Sequence, residues 1–128
     1  MNPQSNRPLS PHLQIYRPQI TSIMSIMHRG TGIFFILGIM GIMVWVITLA
    51  SGVIAFSFYQ NILRTIPGVI FLISLSFSLF YHLANGIRHL LWDFGWGYKI
   101  NQVYLTSWIV VSTACLLTVI LWVRLTLY

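Results

Sequence analysis

The chain has 128 residues, 57% of them hydrophobic and 6% charged, with seven Lys or Arg against one acid and a formal net charge of +6. A water-soluble domain carries roughly a quarter of its residues as charged groups, so this composition excludes a soluble enzyme or binding module and describes an integral membrane protein. The positive charge is no argument for nucleic acid, because the basic residues are scattered over the ends of apolar segments, where membrane topology accounts for them.

In chain order, residues 1–21 form a polar N-terminal arm with four prolines by residue 20. The arm has neither the apolar centre of a secretory signal nor the long Arg- and Ser-rich stretch of a mitochondrial import sequence. This pattern points to a bacterial or organelle-encoded chain, or one supplied in mature form. Three apolar stretches follow, at about 23–50, 66–91 and 105–127, each long enough to cross a hydrocarbon core of about 30 Å, which takes roughly 20 helical residues. Residues 51–65 and 92–104 read as polar loops. The expectation is an all-α membrane protein of three transmembrane helices in a single membrane-anchor domain, without repeats or low-complexity tracts.

Arg7, Arg17, Arg29, Arg88 and Lys99 fall on one side of that topology and Arg64 and Arg124 on the other, which puts the N-terminus on the cytoplasmic or matrix side. Trp45, Trp92, Trp96, Trp108 and Trp122 gather towards span ends as an interfacial belt. Cys115 stands alone, so it can form neither an internal disulfide nor an iron–sulfur site, and it reads as a small core hydrophobe. Met24, Met27, Met40 and Met43 read as packing residues of the first span.

His82 lies inside the second apolar stretch, about 11 residues or roughly 16 Å of helix from Asp93. An ionisable side chain at that depth is costly and is a functional candidate by default. Three readings compete: an interhelical hydrogen bond, axial ligation of haem iron, and proton transfer. Ser74, Ser78, His82, Asn85, Gly86 and His89 share one helical stripe, which should face protein or cofactor rather than lipid. Gly86 leaves space one turn from His82 where a flat macrocycle can approach, although close helix packing explains small residues equally well. A low-spin haem needs two axial ligands, and His12, His28 and His89 all fall outside or near the membrane surface. If His82 binds haem, the second ligand comes from another chain.

On the first span Ser25 and Arg29 share a face, with His28 beside them. Arg29 can simply snorkel to the interface. The alternative is that a hydroxyl and a guanidinium donate to the carbonyls of a lipid-soluble quinone, Arg29 stabilising the negative charge that develops on reduction. Ser25, His28 and Arg29 are expected level with Arg88, His89 and Asp93. Asp93 is expected to pair with Arg88 or Lys99, to cap the turn containing Gly95 and Gly97, or to relay protons.

Three segments together carry a family resemblance: RPLSPHLQIYRP at 7–18, SIMHRGTG at 25–32 and HLANGIRHLLWD at 82–93. The chain resembles the cytochrome b membrane anchor of succinate dehydrogenase, the larger of the two anchors of respiratory complex II, over nearly its whole length. The resemblance implies that His82 is an axial ligand of haem b, the other histidine coming from a second, smaller anchor subunit. It implies that Ser25 and Arg29 contribute to the ubiquinone site, that His28 and Arg29 lie near the haem propionates, and that Arg88, His89 and Asp93 support the site near the inner surface. Segment 7–18 would meet the iron–sulfur subunit, and succinate would be oxidised in the flavoprotein subunit. The isolated chain would not be catalytic. The implied setting is a bacterial or mitochondrial inner membrane. The competing functions are a haem-free structural anchor and a small proton channel or transporter subunit using His82, His89 and Asp93.

Overall fold

The computed structural model describes residues 18–127, so readings on the arm at 7–17, including His12, lie outside the described residues. Four helices follow: α1 Ile20–Ala50, α2 Val53–Leu63, α3 Ile66–Asp93 and α4 Ile100–Leu127. Helices α1, α3 and α4 are the three long apolar helices expected to span a membrane. Two boundaries differ from the sequence reading. Helix α4 starts at Ile100 rather than near 105, and 53–63 is helical rather than a loop.

Ser57, Gln60 and Asn61 made that segment read as polar. In the structure the Ser57 hydroxyl donates to its own helix, at the Ile54 carbonyl, 2.9 Å, a local bond that removes its demand for water. Gly52, with φ +106°, makes the reversal after α1, a conformation open chiefly to glycine. Helix α2 then runs back along α1. Trp45 meets Phe56 edge-on at 5.9 Å, and the Tyr59 hydroxyl donates to the Gly41 carbonyl at 2.9 Å. Both pairings are centred near residue 50, as a helical hairpin requires.

Helix α3 opens on a capped turn: Thr65 Oγ1 accepts from the Gly68 N–H at 3.3 Å, and Pro67 occupies the first turn, where no intrahelical donor is lost. It ends in a Schellman motif. The Trp96 N–H reaches the Leu91 carbonyl at 3.0 Å, and the Gly95 N–H reaches Trp92 at 2.8 Å, with Gly95 at φ +82°. Gly95 therefore terminates the helix by its backbone, and the cap expected from Asp93 is not formed among the described residues.

The spanning helices touch along narrow seams. Apart from Gly68 at the corner with α2, the buried positions are Met24, Thr31 and Gly38 on α1; Ser78, Tyr81, Asn85 and Arg88 on α3; and Val103, Ser107, Val110, Ala114 and Thr118 on α4. Steps of three, four and seven residues keep one line of a helix against its neighbour. Lipid rewards no apolar burial between helices, so small residues and interhelical hydrogen bonds hold such seams. That is what lies here. Tyr81, buried beneath α1, donates to the Met24 carbonyl at 3.1 Å, and Trp122 Nε1 donates to Ser76 Oγ at 3.4 Å. Cys115 is exposed rather than core; it lines a groove with Met27, Ser78 and Thr118 on the flank where α1, α3 and α4 diverge.

Candidate functional site: a histidine cluster between α1 and α3

His28 on α1 and His82 on α3 stack face to face, centroids 3.9 Å apart and planes 14° from parallel. His89, two turns along α3, is tilted against His28 at 5.3 Å. Phe35 meets the His82 ring edge-on at 5.1 Å. Gly32 borders the ring, its Cβ position lying 3.4 Å from His82 Cε1, at ordinary contact distance. His28 is therefore level with the gap between His82 and His89, deeper than the sequence reading placed it. The register is set by α1–α3 polar contacts: the same packing brings Met24 to Tyr81 and Thr31 to His82.

Thr31 Oγ1 is 3.1 Å from His82 Nδ1 and donates to the His28 carbonyl at 2.9 Å. His28 Nδ1 is buried without a hydrogen-bond partner among the described residues. Buried polar atoms normally find partners, and this one is an exception. Gly86, one turn beyond His82, faces open space: a Cβ there would meet nothing within 4 Å.

Arg88 turns the other way. Its guanidinium is buried against α4, donating to Thr106 Oγ1 at 3.0 Å, Ser107 Oγ at 2.9 Å and the Val103 carbonyl at 3.2 Å. It also donates to Asn85 Oδ1 at 3.3 Å and lies 4.1 Å above the Trp92 ring. A guanidinium only donates, so Asn85 must turn its oxygen to Arg88 and its NH2 to His89 Nε2, 3.4 Å away. His89 accepts there and carries its proton on Nδ1. The expected pairing of Asp93 with Arg88 or Lys99 is not found. Asp93 is exposed and has no ion pair among the described residues, because Arg88 satisfies its donors on α4 hydroxyls instead.

Ser25 and Arg29 lie on the next face of α1, where with Thr21, Ser22 and Ile26 they line a shallow groove of about 370 Å³. Every wall of that groove comes from α1. Arg29 is exposed and has no hydrogen bond or ion pair among the described residues. The structure thus brings His28, His82 and His89 together, sets Ser25 and Arg29 beside them on a separate open face, and sends Arg88 to α4. Thr31 was missed in the sequence, although its position three residues after His28 puts both on one helical face. Asn85 was placed on the stripe, but its link between Arg88 and His89 was not foreseen.

These features define a class: a multi-pass helical membrane protein that holds imidazoles inside its own spans. Residues 3–121 match the family described as succinate dehydrogenase/fumarate reductase transmembrane subunit. The chain is 45% identical over 121 residues to the succinate dehydrogenase cytochrome b556 subunit of Rickettsia typhi, covering 93% of each chain. It is 40% identical to the cytochrome b560 subunit of Reclinomonas americana, covering 96% of this chain and 89% of that one. With the cytochrome b556 subunit of Paracoccus denitrificans it shares 38% identity over 91% and 90% of the two chains. The protein belongs to the succinate dehydrogenase/fumarate reductase transmembrane subunit family.

Proposed function

We propose that this chain is the haem b-binding membrane anchor of a succinate:ubiquinone oxidoreductase. It would help form the ubiquinone-reduction site and hold the flavoprotein and iron–sulfur subunits to a bacterial or mitochondrial inner membrane, its N-terminus on the cytoplasmic or matrix side. The observation that carries the reading is the histidine cluster: His82 inside a span, with Nε2 free of hydrogen bonds among the described residues and space beside it at Gly86. The cytochrome b names of the relatives agree with it. They give the channel alternative no support.

The residues fit a haem. An imidazole nitrogen without another partner is a good iron ligand. His28 Nδ1, buried and unpartnered, is suited to meet a propionate, with Arg29 on the adjoining face supplying positive charge. His28 cannot be the second axial ligand of His82. The two rings lie face against face, so His82 alone of the pair would hold the iron through Nε2 and His28 would serve the periphery of the group. A second imidazole would come from a smaller anchor subunit, as the family resemblance implies. When bound, haem b supplies a one-electron carrier beside the quinone pocket.

Ser25 and Arg29 would donate hydrogen bonds to a quinone carbonyl, Arg29 stabilising the charge that develops on reduction. Because the groove around them has walls from α1 alone, the iron–sulfur and second anchor subunits would supply the remainder. His89 and Asp93 would support proton supply from the membrane surface, and Arg88 would keep α3 seated on α4.

The test is the reduced-minus-oxidised spectrum of the purified complex with and without His82→Ala. Loss of a b-type signal, or its conversion to high spin, is expected. An unchanged spectrum overturns the assignment. For the quinone site, Ser25→Ala and Arg29→Leu should each lower succinate-to-ubiquinone turnover efficiency about 10- to 100-fold, the range for losing a hydrogen bond to a charged or charging group. Succinate oxidation with an artificial acceptor that bypasses the site should be unaffected. Equal losses in both assays would overturn a quinone-binding role.

A further inference from the structure

The Thr31 hydroxyl has one proton, and the geometry commits it. It donates to the His28 carbonyl at 2.9 Å, a bond closed within one turn of α1, where the neighbouring backbone acceptor is always at hand. The oxygen's lone pairs remain, and His82 Nδ1 lies 3.1 Å away. Two acceptors cannot form this contact, so Nδ1 must be the donor. We infer that Thr31 is a positioning residue that holds His82 in its Nδ1–H tautomer and fixes the ring, so that Nε2 is the lone pair presented for ligation. This rests on the axial-ligand reading and deepens it.

Three further observations support the assignment. Thr31 is buried, 6% exposed, so water does not compete for its oxygen. Gly32, next in the chain, closes on His82 Cε1, and Phe35 borders the ring on edge. The imidazole is thus confined by packing and oriented by one polar contact. A ligating histidine commonly gives its second N–H to an outer partner, which sets the tautomer and makes the ligating nitrogen more basic. Here that partner would be a hydroxyl anchored in turn by the backbone of the histidine stacked against His82. A more basic ligand favours the ferric state, so removing the acceptor should raise the haem potential.

The experiment uses the purified complex carrying wild-type chain, Thr31→Val, Thr31→Ala or Thr31→Ser, with haem content, the optical midpoint potential of the b-type signal and the ferric EPR spectrum as readouts. Valine keeps the shape and removes the acceptor; alanine removes the acceptor and both γ atoms, should valine's second methyl impair assembly. Both should move the potential to more positive values and weaken haem retention about 10- to 100-fold. Serine keeps the hydroxyl and should restore wild-type values. Thr31→Val and Thr31→Ala complexes with wild-type potential and haem content overturn the inference. So does a Thr31→Ser complex that behaves like Thr31→Val, because a retained hydroxyl would then fail to restore the haem. A wild-type complex without a b-type signal overturns the axial-ligand reading itself, which is distinguishable from these outcomes and removes the inference with it.

Discussion

Arg88→Lys should destabilise the protein nearly as much as Arg88→Met, by about 3–5 kcal/mol on the combined scale of lost interhelical bonds and orphaned acceptors in membrane proteins. The guanidinium reaches Thr106, Ser107 and the Val103 carbonyl on α4 while also holding Asn85 on its own helix. The two hydroxyls spend their own protons on backbone carbonyls, Thr106 on Gln102 at 2.8 Å and Ser107 on Val103 at 2.7 Å. Both therefore present lone pairs to the arginine. A lysine ammonium is a compact point charge on a flexible stem and cannot span this fork, so Asn85 Oδ1 loses its partner and His89 loses the residue that orients it. The midpoint of thermal inactivation of the purified complex, together with subunit content in membranes, checks the result. A lysine variant with wild-type stability would show that charge alone, not the fork, holds α3 to α4.

The second large effect is expected at Gly68. Glycine inside a helix normally costs about 1 kcal/mol relative to alanine, so Gly68→Ala reads on propensity as a stabilising change. The structure reverses the sign. A Cβ at 68 would collide with the carbonyl oxygens of Ile62 and Leu63, and with Leu63 Cα, where α2 turns into α3. Backbone atoms cannot rotate away as a side chain can, so relief means prising the corner open. That strains the Thr65 cap and the Tyr59–Gly41 contact. The loss should reach or exceed the upper end of the 1–3 kcal/mol typical of overpacking. Gly30→Ala is the control, since nothing lies within 4 Å of its Cβ position. If the two variants melt alike, the corner is not as tightly closed as its geometry implies.

The three spans were legible because a hydrocarbon solvent demands long apolar runs and admits few exceptions. The same demand made His82 conspicuous. What escaped was whatever depended on register between helices. Helix α2 was missed because Ser57, Gln60 and Asn61 dilute its apolar character, and the contacts of Tyr59 and Phe56 with α1 show where it belongs. Asp93 looked like the natural partner of Arg88, being the lone acid in the chain. Nothing in the sequence ranked Thr106 and Ser107, on a later helix, above it. Cys115 was read as core because its type favours burial, yet it sits on the open flank of α4. In the site, the histidines could be named but not their stacking. The role of Thr31 depends on a lone pair aimed across the α1–α3 interface, which no spacing rule encodes.

The buried residues of helix α1, Met24, Thr31 and Gly38, fall on one line, and the residues proposed to cradle the cofactor lie on or beside it. Helices α3 and α4, bolted together through Arg88, make a chassis; α1 leans on it like a door on its frame. Its hold on that frame is the His28–His82 stack and the Tyr81–Met24 and Thr31–His82 contacts, so α1 is the span that can part from the others at least cost. A chain waiting for its partners would show its unfinished state first in α1.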